Sequence, residues 1–296
     1  MLETIAKFGQ NDADFKQTAT EIVANTHAKS GNLAGTAWKN DYYDDMGWWA
    51  LGWIASYDLT GDVKYLDTAK DIFEDMTGGW TTPCGGGIWW DKAKTSVAAI
   101  ANELFLAVAA HLANRVPAAE KDEYLHWAQM EWDWFWLSGV INDKNVINDG
   151  IDKSTCKNDG KTVFTYNQGV ILGGLSELAR ATGDGGYIAH AYTLAKGSMT
   201  ELSKDGILTE PADHLDEQGA QFKGVFVRGL ATLQANEPQQ QFADYLKRNA
   251  ESVIAKDRAS DGVIGPMWQG GSNDEAIATS HASGVDLMVA AAAAWP

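Results

Sequence analysis

A tight turn followed by an aromatic-led helix recurs along this chain, and that repeat restricts the fold more than any other feature. Tyr57-Asp-Leu-Thr-Gly-Asp-Val-Lys-Tyr65 closes one helix and opens the next, and Arg180-Ala-Thr-Gly-Asp-Gly-Gly-Tyr187 does the same. Lys7-Phe-Gly-Gln-Asn-Asp-Ala-Asp-Phe15 and Leu233-Gln-Ala-Asn-Glu-Pro-Gln-Gln-Gln-Phe242 are looser copies. Gly61 and Gly183 suit the left-handed residue that ends a helix, and Asp62 and Asp184 suit the cap of the next. Each copy therefore joins two antiparallel helices. Apolar residues recur at helical spacing almost everywhere, predicting helices near 12–29, 46–59, 62–77, 94–115, 117–138, 163–182, 185–204, 218–235, 238–257 and 279–294. No strand-like alternation of useful length competes, so the expectation is an all-α fold.

The two helices of a hairpin differ in character. The one before the tight turn is small and apolar, as in Ser96-Val-Ala-Ala-Ile-Ala-Asn-Glu-Leu-Phe-Leu-Ala-Val-Ala-Ala110, and reads as enclosed; the one after it, as in Tyr65-Leu-Asp-Thr-Ala-Lys-Asp-Ile-Phe-Glu-Asp75, is amphipathic and reads as half exposed. Alternating inner and outer helices predict a ring of hairpins, an α/α toroid, in one domain over residues 1–296. The long Gly- and Trp-rich connections (30–45, 78–95, 139–161, 205–217 and 260–278) all run from an outer helix to the next inner one. In such a ring they gather on one face, where binding residues are expected. Met1–Phe8 stands where the repeat places the tail of an inner helix. The expectation is a chain that begins inside a longer parent, without one outer helix and most of an inner one.

Composition narrows the function classes. A formal charge of −17 over 296 residues argues against a nucleic-acid partner or an anionic membrane surface. It fits a neutral substrate and a secreted or cell-surface protein acting as a monomer. No apolar run is long enough to span a bilayer, so no membrane insertion is expected. Cys84 and Cys156 lie in loop-like stretches without Cys-x-x-Cys or Cys/His clustering. A disulfide between them is favoured over two free thiols, and neither metal nor cofactor is expected. Asp143, Asn145, Asn148, Asp149, Asp152 and Asp159 do not follow the ligand order of a calcium loop.

Asp44 and Asp45 stand side by side between Tyr42-Tyr43 and Trp48-Trp49. Acids at the start of a helix can serve its free N–H groups and positive dipole end. They can also protonate and attack a glycosidic bond, with flat apolar rings holding the sugar. The crowd formed by Tyr42, Tyr43, Trp48, Trp49 and Trp53 is more aromatic surface than capping requires. Trp89 and Trp90 follow a glycine run that lets the chain bend into a cleft. Asn102, inside an apolar helix, either satisfies loop backbone or meets a sugar hydroxyl. Tyr166, Asn167 and Gln168 open a helix at the loop face, where capping and hydroxyl recognition are both open. Asp213 and Asp216 are reserve acids on the same face. Lys223 reads as an ion-pair partner, and the Trp132-Asp-Trp-Phe-Trp136 run as packing.

These residues resemble glycoside hydrolase family 76, the endo-α-1,6-mannanases and related fungal cell-wall mannan transglycosidases. The resemblance runs over essentially the whole chain. It is carried by Tyr-Tyr-Asp-Asp-x-Gly-Trp-Trp-Ala-Leu at 42–51 and Cys-Gly-Gly-Gly-Ile-Trp-Trp at 84–90. Ala-Ile-Ala-Asn-Glu-Leu-Phe at 99–105, Tyr-Asn-Gln-Gly at 166–169 and Phe-Lys-Gly-Val-Phe-Val-Arg at 222–228 support it. It implies an (α/α)6 barrel and retaining cleavage of α-1,6-mannan or manno-oligosaccharides, with Asp44 as nucleophile and Asp45 as acid/base. Tyr43, Trp48, Trp49, Trp89, Trp90, Asn102, Tyr166, Asn167, Gln168 and Asp213 are the candidate sugar-binding residues. A transglycosidase, a catalytically silent glycan-binding protein and an inverting hydrolase or lyase of uronic acids are the rival functions. The last is disfavoured by the charge and by the lack of an Arg/Lys cluster in the loops.

Overall fold

The computed structural model describes residues 1–32, 35–212, 215–271 and 276–294. Its secondary structure is helical, with 2–3-residue strands confined to connections. Eleven helices are present among the described residues: α1 (Leu2–Asn11), α2 (Lys16–Ser30), α3 (Tyr43–Thr60), α4 (Val63–Thr77), α5 (Ala99–Ala113), α6 (Ala118–Leu137), α7 (Thr165–Thr182), α8 (Gly186–Glu201), α9 (Gly219–Asn236), α10 (Gln240–Lys256) and α11 (Ala278–Ala294). None of them is long and apolar enough to cross a membrane. The chain forms two compact units. The first comprises Met1–Val140, Asp149–Gly160 and Glu177–Gly183; the second comprises Ile141–Asn148, Lys161–Ser176 and Asp184–Pro296.

The repeated turns form as their residues dictate. Gly61 takes φ 71° and its N–H closes on the Tyr57 carbonyl, while the Asp62 side chain caps the Lys64 N–H. Gly183 repeats this at φ 77°, and Asp184 receives the Gly186 N–H. In the first copy Asp12 accepts the Phe15 N–H, and Phe8 stacks on Phe15 across the turn at 4.7 Å. That cap moves the start of α2 to Lys16, later than the periodicity predicts.

In the first unit, α3 and α5 have the expected enclosed character. Nearly every residue of α5 is buried, including Ile100, Leu104, Phe105 and Val108, whereas α4 and α6 bury one side only. Two carboxyls are caught in this core. Glu103 of α5 and Glu131 of α6 are fully buried, and none of their four oxygens meets a hydrogen-bond donor. Burial raises both well above the usual carboxyl range, and the charges of Glu131 and Asp149 add to the effect at Glu103. The environment therefore favours their protonated forms.

At the tight-turn end of this unit the helix termini are tied by ions. Arg115, just past α5, bonds Asp58 of α3 through Nε and Nη2, and Glu177 of α7 through Nη1 at 2.9 Å. Arg180 holds the same Glu177 oxygen at 2.9 Å. Burial by itself would raise the Glu177 carboxyl, yet neighbouring positive charge brings it down to about 2. His111 is held near 4, first by burial, so it is uncharged at neutral pH, where the guanidinium groups act, and charged in the range where Glu177 takes up its proton, where it adds to them.

In the second unit, the 222–228 motif is the surface on which α9 docks against α11. The Gly224 N–H donates to Ser283 Oγ, Arg228 Nη1 pairs with Asp286 Oδ2 at 2.5 Å, and Lys223 Nζ donates to the Pro266 carbonyl. A Cβ on Gly169 would come within 2.4 Å of the Phe226 Cα, and one on Gly229 would overlap the Gly169 carbonyl, so the Tyr-Asn-Gln-Gly segment owes its glycine to a close helix crossing.

Arg115→Met leaves Glu177 buried without its main partner and is expected to destabilise the fold by about 3 kcal/mol at pH 7. Because the Glu177 pKa is lowered, the stability it contributes is complete above about 4.5 and lost as pH falls through about 2. The deficit of the variant should therefore narrow across that window, as read from denaturant midpoints.

Candidate active site

The connections 35–42 and 78–98 of the first unit meet at the start of α3. Tyr42 bridges Asp91, the Lys92 N–H donates to the Asp41 carbonyl, and the Tyr43 N–H donates to the Trp90 carbonyl at 2.9 Å. Strand β1 (Val97–Ala98) pairs with β2 (Gly150–Asp152) in the same loop group. The expected disulfide is formed: Cys84–Cys156 joins the glycine-rich loop to the turn after β2. The long loops of this unit thus converge as the hairpin argument predicts.

Asn102 anchors that convergence from beneath. Its Oδ1 accepts the Ile88 N–H at 2.7 Å, and its Nδ2 donates to the carbonyls of Ile88 and Ala98. All of its amide hydrogens are used on backbone, so of the two readings open in the sequence the geometry favours the loop-satisfying one. The glycine run fits around Trp134, whose indole N–H donates to the Cys84 carbonyl at 3.0 Å. A Cβ on Gly87, at φ 76°, would come within 2.5 Å of that ring. The Trp132–Trp136 run is accordingly a packing element, with Trp132 and Phe135 buried and Trp136 partly exposed.

Asp44 and Asp45 occupy the first turn of α3, where the helix N-terminus favours ionised carboxylates. Both also take side-chain hydrogen bonds from outside the helix. Trp90 Nε1 donates to Asp44 Oδ2 at 3.0 Å, and Asn40 Nδ2 donates to Asp45 Oδ2 at 2.8 Å. The second Asp44 oxygen, Oδ1, is sealed from solvent and meets no partner in hydrogen-bond geometry. Asp45 is exposed. Burial is the main reason that the Asp44 carboxyl rises to about 6; the Trp90 hydrogen bond opposes it, the Asp45 charge adds to it, and backbone N–H groups oppose it again. Two adjacent acids thus sit in unlike surroundings, one desolvated and fixed, the other open to solvent.

The aromatic crowd divides. Tyr43 is buried and Trp89 is packed, its indole N–H bonded to Thr81 Oγ1. Trp48 and Trp49 are half-buried; Trp49 stacks on Trp53 at 5.8 Å, and Trp53 on Tyr65 at 5.6 Å. His27 and Trp38 close over the same Trp53. Much of this aromatic surface is therefore core. Tyr42, 41% exposed, lies against the half-buried Trp90 at 4.9 Å and is the aromatic surface open to solvent beside the acids. The sequence reading gave Asn40 no role, although an Asn three residues before a helix start is a recognisable turn signal.

In the second unit, Gln168 repeats the part of Asn102. Its Oε1 accepts the Ile147 N–H, and its Nε2 donates to the carbonyls of Ile147 and Phe164. Asn167 is fully buried with neither amide atom partnered, and Tyr166 stacks on Phe222 at 4.2 Å. Asp213 lies outside the described residues. Asp216 caps α9 through the Gln218 and Gly219 N–H groups. Lys223, over the Trp268 ring at 5.1 Å, is brought down to about 8, mainly by burial. Among the described residues no group of three His, Cys, Asp or Glu side chains is placed to hold a metal ion.

An all-α chain of helical hairpins with tandem aspartates at a loop-gathered helix start has the makings of a carbohydrate-active protein. Comparison with known families gives the narrower answer: the chain belongs to glycosyl hydrolase family 76, whose model matches residues 4–294. It is 28% identical over 255 residues to the mannan endo-1,6-alpha-mannosidase DFG5 of Saccharomyces cerevisiae, covering 78% of this chain and 55% of that protein. The mannan endo-1,6-alpha-mannosidase DCW1 of Candida albicans is 24% identical over 218 residues, covering 66% of this chain and 48% of that protein. The chain thus spans about half the length of these curated relatives. Among solved structures, it matches an inactive variant of the alpha-1,6-mannanase GH76A of Salegentibacter sp. HEL1_6, bound to alpha-1,6-mannotriose and altered at two consecutive aspartates. The match has a TM-score of 0.83 at 26% identity and covers 99% of this chain and 87% of that one. The Lin0763 protein of Listeria innocua matches with a TM-score of 0.86 at 25% identity, over 98% and 84%. The all-α class expected from the hairpin repeat, and the (α/α)6 class implied by the family resemblance, are the class of these structures.

A carboxyl whose pKa is raised on folding costs stability above its unfolded value of 3.8, fully so above about 6, and nothing below 3.8. Asp44→Asn is therefore expected to stabilise the protein by about 1–2 kcal/mol at pH 7, allowing for solvent screening, and by little at pH 4. Thermal unfolding at the two pH values measures this.

Proposed function

We propose that this chain is an endo-acting, retaining glycoside hydrolase that cleaves α-1,6-mannosidic bonds of mannan through a covalent glycosyl-enzyme intermediate. The observation that carries the reading is the unlike pair at the start of α3. The nucleophile of a retaining enzyme needs fixed geometry and an ionised carboxylate; Asp44 is held by Trp90 and is largely ionised at neutral pH. The acid/base must give a proton to the leaving oxygen and later take one from water, which requires contact with solvent. Asp45, exposed and held by Asn40, meets that need. Asp44 attacks the anomeric carbon as Asp45 protonates the departing mannosyl oxygen; water, deprotonated by Asp45, then releases the sugar from Asp44.

The alpha-1,6-mannotriose bound to the Salegentibacter variant, and its two altered consecutive aspartates, support both substrate class and pair. Tyr42, lying against Trp90, supplies the aromatic wall beside the acids. The Cys84–Cys156 bridge fits an oxidising compartment, consistent with a secreted or cell-surface protein.

Wild-type protein is expected to shorten α-1,6-mannan with retention at the anomeric carbon, and kcat/KM to fall as pH drops through about 6, where Asp44 takes up a proton. Asp44→Asn should lose at least a thousandfold in kcat on every substrate. Asp45→Ala should retain the first step on an aryl α-mannobioside with a good leaving group, and azide should accelerate its turnover. Equal losses in both variants on the activated substrate would reverse or remove the assignment of roles.

A further inference from the structure

Trp90 is locked at three points. Its N–H donates to the Ser96 carbonyl at 2.9 Å, its carbonyl accepts the Tyr43 N–H at 2.9 Å, and its indole N–H reaches Asp44 Oδ2 at 3.0 Å. Two residues earlier, Ile88 is clamped through both backbone groups by Asn102. The ring has little freedom to swing toward a sugar without breaking the indole contact. Among the described residues, no other side chain donates to the Asp44 carboxylate, and Oδ1 has no partner.

We infer that Trp90 is a positioning residue of the reaction, fixing the Asp44 carboxylate through its indole N–H, and that its ring is not primarily a sugar platform. This rests on Asp44 being the nucleophile. A donor to the ionised form lowers a carboxyl pKa, whereas a donor to neither form leaves it alone. The charged neighbours of Asp44 do not substitute for the indole. Asp45, on the same turn, opposes ionisation. On the loop, Asp91 is taken up by Thr95 through both oxygens, and Lys92 is paired with Asp75.

The test compares pH profiles of kcat/KM on an α-1,6-manno-oligosaccharide for wild type and Trp90→Phe, which keeps a flat ring and removes the donor. The acid limb of the variant should move up by about one pH unit, the loss expected of one hydrogen bond to a charged group. At pH 6 kcat should fall about fivefold or more, with KM changed less than threefold. An unmoved limb with a raised KM alone would assign Trp90 to sugar stacking and overturn the inference. Should Trp90→Phe not fold, the indole N–H resonance of Trp90 in the wild-type protein decides. Movement with a midpoint near pH 6, absent in Asp44→Asn, supports the contact, and a flat titration removes it. Wild-type protein that leaves mannan intact while this resonance titrates would sink the mannanase reading and leave the fixed carboxylate standing.

Discussion

Buried loop backbone must find hydrogen-bond partners, and in this protein side-chain amides on helices provide them. Asn102 takes both backbone groups of Ile88, and Gln168 takes both of Ile147. In the second unit, Asn249 of α10 accepts the Leu208 N–H while donating to the Tyr245 carbonyl. An amide presents a donor and an acceptor side by side, so it imitates an adjacent strand for one residue. Long connections gain fixed positions in this way with only short strand pairings of their own. The helices supply rigidity, and the amides transfer it to the loops.

The site depends on that transfer. Asp44 sits on a helix, but the group that holds its carboxylate sits on a loop. The loop is clamped by Asn102, packed on Trp134 and covalently joined through Cys84, so each support acts on the same few residues. Desolvation of Asp44 follows from this packing, which is why one acid of the pair departs from ordinary carboxyl behaviour while its neighbour stays open to water.

Helices, turns and the tandem acids were legible because each has a local cause. Gly61 and Asp62 carry their turn within a few residues, and the apolar character of α5 is visible in its composition. The meeting of the 35–42 and 78–98 connections followed from hairpin order. What escaped the sequence was the use of each polar or aromatic group, because that is decided by a partner far along the chain. Trp90 read as a ring, yet its N–H at 3.0 Å from Asp44 has most to say about the chemistry. Trp49 and Trp53 read as surroundings of the acids, although they stack toward Tyr65. Glu103 and Glu131 lie in helical segments where a buried acid looks like any other charged position, and only the packing of α5 on α6 reveals them. The strands, at two or three residues, are too short to leave a periodic trace.

The Cys84–Cys156 bond spans 72 positions and closes a covalent ring around α5 and α6. A protease that cut the chain anywhere inside that ring would open a circle without liberating a fragment. Both halves of the glycine-rich loop would stay tethered to the body of the protein.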